Sequence, residues 1–319
     1  MKPLTGLYGA ATALRNTLFD RGVLSSRRLE RAVISVGNLS IGGAGKTPFV
    51  IALGELLRAR GISFDVLLRG YGRKTRGVLV VDTDGSATDF GDEPLLIARR
   101  LAVPVVVGES RYGAGRVAEQ KFESQLHILD DGFQHRYLAR DFDIVLMTER
   151  DFEDRLLPSG RLREPLTSLK RADAIVLPPE LSAQSSSIES FVQQRKLVWR
   201  MKREIVMPPT SIAPIVFCGI ARPQQFFAQI RAAGITPAAE VDFRDHHTYN
   251  RTDIERLLAQ RGKLGADGFL TTEKDAVNLG SLAAELKPLA VATLTLTLDR
   301  PNDVVDAILA RIENRMPRS

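Results

Sequence analysis

Cysteine is almost missing from this chain: Cys218 is the only one in 319 residues. A lone thiol excludes an internal disulfide framework and a cysteine-ligated zinc site, and it fits a reducing compartment. Aromatic side chains are scarce, at 6%. No aromatic-interleaved basic patch accompanies the mild positive balance, 44 basic against 38 acidic residues, net +6. That argues against a nucleic-acid surface and suits a smaller anionic partner, a nucleotide or an acidic lipid face. There is no apolar run of about 18 residues, so no membrane-spanning helix is expected. Arg15, Asp20 and Arg21 interrupt the N-terminal apolar pattern and no small-residue cleavage site follows, which argues against a signal peptide and for the cytoplasm.

What is present is ordinary globular composition, 44% hydrophobic and 26% charged, in a length that suggests two domains. Apolar runs at 32–36, 64–68, 78–81, 104–107, 126–129, 144–147 and 174–177 read as strands, with helical patterns at 46–60, 93–101 and 112–121 between them. This alternation predicts an α/β fold, a parallel sheet covered by helices whose ligands bind at the carboxyl ends of the strands. Pro178 to Ser187 reads as loop, and 197–201 and 204–207 as two short strands around Lys202–Arg203. A connector is therefore placed at 196–211, between a first domain over 1–195 and a smaller α/β domain over 212–319. The latter has strands at 215–218, 268–270 and 289–298 and helices at 224–233, 252–261 and 302–315. There is no internal repeat at a solenoid period.

Ser40, Ile41, Gly42, Gly43, Ala44, Gly45, Lys46 and Thr47 follow a strand and open a helix, the context a phosphate-binding loop requires. The glycines let backbone N–H groups face phosphate oxygens, and the helix N-terminus adds a positive field. Lys46 reaches toward the β/γ-phosphates of ATP and the Thr47 hydroxyl toward Mg²⁺. Ser40 stands where that motif usually begins with Gly. The run 126–129 ends in Asp130-Asp131, the strand-then-acid arrangement of a second metal-site half, although two aspartates before Gly132 also suit a turn cap. Asp130 is the metal candidate and Asp131 the acid beside the transferred phosphate.

Phosphoryl transfer to a hydroxyl further needs a base and a clamp. Asp92, in Gly91-Asp-Glu-Pro94, is a candidate base and equally a helix cap. Asp245-His-His247 holds two of the four histidines. Arg69, Arg73, Arg111, Arg161 and Arg163 lie in loops, where guanidinium forks suit phosphate. At the N-terminus, Leu4, Leu7, Tyr8, Ala11, Leu14 and Leu18 fall at helical spacing among Lys2, Arg15, Arg21, Arg27 and Arg28. Such a helix either packs on its own domain or lies in the headgroup region of an anionic bilayer.

Taken together, Ser35–Pro48, Arg69–Arg73, Gly91–Leu95, Asp130–His135, Leu157–Pro165, Asp245–Tyr249 and Thr272–Asp275 resemble the tetraacyldisaccharide 4'-kinase family of lipid A biosynthesis. Within that family Ser or Thr commonly opens the phosphate loop. The resemblance implies ATP- and Mg²⁺-dependent phosphorylation of the 4'-hydroxyl of a tetraacyldisaccharide 1-phosphate, giving lipid IVA. It implies a P-loop NTPase-like α/β/α domain and a smaller α/β/α domain joined by a two-stranded linker, with ATP between them. It also implies an N-terminal helix, about 4–24, peripheral on the cytoplasmic face of a Gram-negative inner membrane. Neither a nucleic acid nor an obligate protein partner is implied. By position, Lys46 and Thr47 match the phosphate-loop pair, Asp92 the catalytic carboxylate and His246, rather than His247, its dyad partner. Asp130 and Asp131 match the Mg²⁺ and phosphate-side acids, and Gln134, Arg111, Arg163 and Glu164 match residues near substrate or phosphate. Because Asp92 and His246 lie far apart in the chain, domain closure is expected to assemble them. The competing reading is a P-loop ATPase or GTPase switch acting on a protein partner. Thr272-Glu-Lys-Asp275 resembles a guanine-reading Asn-Lys-x-Asp only loosely.

Overall fold

The structure, a computed structural model, describes residues 2–42, 45–179, 181, 196–208 and 213–313. Gly43 and Ala44 of the phosphate loop, and most of the expected loop 178–187, lie outside the described residues.

Among the described residues, twelve strands form one sheet. In its larger part, β1 (Ala32–Asn38) lies between β5 (Leu126–Asp130) and β6 (Phe142–Leu146). Beyond β5 come β2 (Phe64–Leu68), β4 (Val105–Val107) and the edge strand β3 (Leu79–Val80); beyond β6 come β7 (Ala174–Leu177) and β8 (Leu197–Val206). All these pairings are parallel except β3 with β4. Strands buried on both faces explain the continuous apolar runs. Period-two alternation divides β1 between two layers. Ala32, Ile34 and Val36 pack with α2 (Lys46–Ala59) and α4 (Asp92–Leu101), and Val33 with Ala114 and Ala118 of α5 (Arg111–Lys121). The remaining helix before α4, α3, is the short turn Ala87–Phe90. The N-terminal helix α1 is Lys2–Asp20.

The other part holds β9 (Ile215–Cys218), β10 (Ala239–Asp242), β11 (Phe269–Thr272) and β12 (Leu289–Leu298), with helices α6 (Pro223–Ala232), α7 (Arg251–Leu264) and α8 (Glu273–Leu279); the last helix, α9 (Pro301–Ile312), returns to the larger part and packs Val304, Val305, Ile308 and Ile312 into its core with α2. Its internal pairings are parallel. The two parts meet where the second half of β12 runs antiparallel to β8, Thr293 opposite Val206 through Leu298 opposite Met201. The expected pair of short strands around Lys202–Arg203 is thus corrected. Residues 197–206 are one strand, and its antiparallel partner comes from 293–298. Met201 is buried whereas Lys202 and Glu204 carry their charges outward, so the two basic residues interrupt nothing.

One buried charge cluster ties α5 to the sheet. His127 of β5 is fully enclosed, 2.8 Å from Asp65 of β2 through Nδ1 and 3.5 Å from Glu119 of α5 through Nε2. Burial opposes its charge, yet hydrogen bonds to the two carboxylates push its pKa up to about 9. Such a raised histidine stabilises the fold below its ordinary value near 6.5, and that contribution fades as pH rises through about 9. Urea unfolding should therefore lose on the order of 3 kcal/mol between about pH 6 and about pH 9.5. His127→Gln should remove most of that slope; a slope equal in both proteins would refute the assignment.

Candidate active site

Strand register brings the phosphate loop and the acid pair together. Val36 of β1 lies opposite Asp130 of β5, so the turns that follow both strands emerge side by side. Gly45 sits at φ 81°, ψ 32°, a left-handed conformation that glycine adopts without steric cost, and the chain passes directly into α2 at Lys46. A Cβ at Gly45 would fall 2.7 Å from the Arg203 guanidinium, which therefore lies against the loop. The loop's first limb is fixed by the segment 161–163: Ile41 N donates to Arg161 O at 2.8 Å and Arg163 N to Leu39 O at 2.7 Å.

Lys46 Nζ donates to Asn38 Oδ1 at 3.1 Å and lies 3.4 Å from Asp131 Oδ1. Arg163 grips Asp131 with both guanidinium nitrogens, at 2.8 and 3.1 Å, and donates to Asn38 Oδ1 at 2.5 Å. Burial opposes ionisation of Asp131, but the Arg163 hydrogen bonds and the Lys46 charge hold its carboxyl well below the usual range. Asp130 behaves oppositely. It is enclosed, and burial together with the negative charge of Glu93 pushes it up to about 7. A buried carboxylate that lines the same cleft as Thr47 and the phosphate loop fits a hard divalent cation with oxygen ligands. Among the described residues no cluster of three His, Cys, Asp or Glu side chains forms a metal cage.

The second cluster surrounds Asp92, the first residue of α4, which is only 4% exposed. Its carboxylate accepts Glu93 N at 2.9 Å and Asn278 Nδ2 at 3.2 Å. His246 Nδ1 lies 2.9 Å from Oδ2 and 3.1 Å from Oδ1. Lys274 Nζ is 3.6 Å from Oδ2. Burial raises the Asp92 pKa, but His246 and Lys274 outweigh it and leave the carboxylate below its ordinary value. His246 is raised by its bond to Asp92, against burial and the Lys274 charge. The dyad is already in contact across 154 positions of sequence, so the expected closure step is not needed to bring these two side chains together. His247 turns elsewhere: its Nε2 meets Asp253 at 2.9 Å and its ring stacks on Phe243. Asp131 and His246 both take positive φ, 51° and 56°. Such conformations are uncommon outside glycine and concentrate at functional sites.

Both clusters border one cleft of about 1570 Å³, lined among others by Lys46, Thr47, Asp130, Asp131, Arg111 and Arg163 and, opposite them, by His246 and Lys274. Asp92 does not itself line it. Arg111 is buried, and burial with the nearby Arg69 charge lowers it to about 10. Two proposed substrate residues face the N-terminal helix instead. Glu164 pairs with Arg171 at 2.9 Å and accepts Asn16 Nδ2 at 2.9 Å, while the Gln134 side chain donates to Asn38 O and its backbone carbonyl accepts from Arg15. Ser40 is buried in the loop's base.

Asn38, Lys274, Asn278 and Arg203 were not singled out from sequence. Asn38 and Lys274 stand within the recognisable segments, but nothing in their spacing tells a site residue from a solvated one.

The chain matches the family model described as tetraacyldisaccharide-1-P 4'-kinase over residues 1–313. A tetraacyldisaccharide 4'-kinase of Koribacter versatilis is 49% identical to it, covering 99% of each chain. One from Geobacter metallireducens is 38% identical, covering 94% of each. A crystal structure described as the "apo" form of LpxK from Aquifex aeolicus in complex with ATP superposes with a TM-score of 0.79 at 34% identity, covering 97% of each chain.

Proposed function

This chain belongs to the tetraacyldisaccharide-1-P 4'-kinase family, and on that premise we propose how its own residues carry the ATP-dependent phosphorylation. The observation that carries the reading is the Asp92–His246 contact beside the cleft that Lys46 and Asp131 line. The loop amides and Lys46 hold the β- and γ-phosphates of ATP. Thr47 and Asp130 would hold Mg²⁺, which when bound neutralises phosphate charge. Asp131, clamped by Arg163 and Lys46, keeps those cations oriented around the transferring group. The 4'-hydroxyl oxygen forms a bond to the γ-phosphorus as the bond to the β-phosphate oxygen breaks, and Asp92 takes the hydroxyl proton. His246 donates Nδ1–H to Asp92 and holds its carboxylate in position. Arg111 and Arg163, which line the cleft, flank the lipid's sugar and phosphate, while Glu164 and Gln134 act one step back by holding α1 against the site.

Functionally we divide the chain into 1–195, the joining segment 196–211 and 212–319, with the cleft between the outer two and α9 returning to pack on the first. The acylated substrate sits in a membrane, and α1 supplies the contact with it. This helix docks through polar groups, with Tyr8 OH donating to Arg163 O at 3.0 Å and Asn16 to Glu164. Leu4, Leu7 and Leu14 are left 58–69% exposed on its outer face. An ordinary core-facing helix would bury that stripe. No helix among the described residues is long and apolar enough to cross a membrane, so the reading is peripheral attachment at the anionic cytoplasmic face of the inner membrane. Leu7→Asp combined with Leu14→Asp should leave unfolding unchanged but cut sedimentation with anionic vesicles by roughly tenfold; undiminished vesicle binding would sink the attachment.

The activity is tested by mixing protein, Mg-ATP and tetraacyldisaccharide 1-phosphate. A product heavier by one phosphate at the 4' position is expected. ATP hydrolysis indifferent to the lipid would instead favour a nucleotide switch.

A further inference from the structure

Lys274 lies on α8, whose first turn is fixed from three sides. Asp275 is fully buried and accepts Gly219 N at 2.8 Å, Tyr249 OH at 2.8 Å and the Thr272 hydroxyl at 2.5 Å. Gly219 in turn accepts His246 N at 3.1 Å, so one scaffold sets both the His246 backbone and the start of α8. Glu273 pairs with Arg100 of α4 at 2.6 Å, which fixes α8 against the helix that begins with Asp92. On this frame Lys274 Nζ stands 3.1 Å from His246 Nε2, 3.4 Å from Asp245 and 3.6 Å from Asp92. An ammonium has three donors and no acceptor, so the Nε2 it touches must be the acceptor.

We propose that Lys274 is a positioning residue for the dyad: by donating to Nε2 it fixes His246 as the Nδ1–H tautomer, so the ring donates to Asp92 and cannot itself receive the substrate proton. The division of labour follows. Nε2 is capped, and Asp92 is left as the acceptor. The groups facing the imidazole are Asp92 from α4, Lys274 from α8, Asp245 from its own loop at 4.0 Å, and the Tyr71 ring in edge contact at 5.5 Å. Glu93 adds negative charge that helps keep Lys274 protonated although burial opposes it. Lys274 also disfavours a second proton on the ring, which would turn Asp92 into half of an ion pair and weaken it as a base.

The role rests on the reading of Asp92 and His246 given above. With only four histidines in the chain, imidazole nitrogen shifts are assignable. At alkaline pH, above its titration, His246 is expected to carry its single ring proton on Nδ1. Lys274→Met should raise the pH at which His246 takes a second proton by roughly one unit. The acidic limb of the kcat profile should move with it while KM for ATP stays put; Lys274→Arg, which keeps the charge, should restore both. A proton on Nε2 in the wild type, or unchanged His246 titration in Lys274→Met, overturns the proposal. So does a rise in KM for ATP as the main effect, which would make Lys274 a phosphate contact. Full activity in Asp92→Asn would instead defeat the dyad and leave the nitrogen shifts to speak for Lys274 alone.

Discussion

Lys46→Ala should reduce kcat by at least roughly 10²–10³, the usual loss when one preorganised group facing transition-state charge is removed. The size follows from its position. Lys46 opens α2, is 19% exposed at the cleft surface, and bridges Asn38 and Asp131 at the end of β1 and just beyond β5. Its ammonium is a compact positive charge placed where charge shifts from the γ-phosphate to the leaving oxygen. Stability should change little, because Asp131 keeps its two-pronged bond to Arg163. Lys46→Arg should recover only a small part of the loss, since a planar fork does not replace a compact point charge. Steady-state kinetics with urea unfolding on the same samples checks this. A variant with near-normal kcat, or one that has lost its fold, would refute it.

Asp92→Asn should lower kcat by on the order of 10²–10⁴, the range a positioned general base supplies. Asparagine keeps the shape and continues to accept from Glu93 N or Asn278, so the variant separates basicity from packing. Asp92→Ala should lose as much activity. It should also lose about 1–3 kcal/mol of stability, because His246, Asn278 and Glu93 N are left facing a void. Equal activity of Asp92→Asn and wild type on purified lipid would end the assignment.

Much of this arrangement was legible in the chain because physics writes it locally. A strand buried on both faces must be a continuous apolar run, so β1, β2, β5 and β7 were visible within a residue or two. A glycine-rich turn between such a strand and a helix has few other uses. Elsewhere the signal was weak or misleading. β10, Ala-Glu-Val-Asp, buries only Val241 and so carries no apolar run. Lys202–Arg203 reads as a turn because adjacent charges suggest solvent, whereas β8 is exposed on alternate residues and absorbs them. The short helix α8 starts at Thr272, whose hydroxyl accepts Asp275 N, but seven residues give too little periodicity to recognise. Asn38, Lys274 and Asn278 acquire meaning only when strands distant in sequence set them against Lys46 and Asp92. The resemblance favours His246 over His247 by position alone; the fold supplies the physical reason, since these adjacent histidines point to different carboxylates. The N-terminal leucines had two readings, and their outward face is set by the polar side of α1 that docks.

The most direct measurement is a crystal structure with Mg²⁺, a non-hydrolysable ATP analogue and the disaccharide lipid bound together. The γ-phosphate should rest on Lys46 and the amides around Gly45, with an Asp92 oxygen about 2.6–3.2 Å from the 4'-hydroxyl. A nucleotide bound away from that bend, or a 4'-hydroxyl far from Asp92 with the carboxylate still sealed behind His246 and Lys274, would contradict the account.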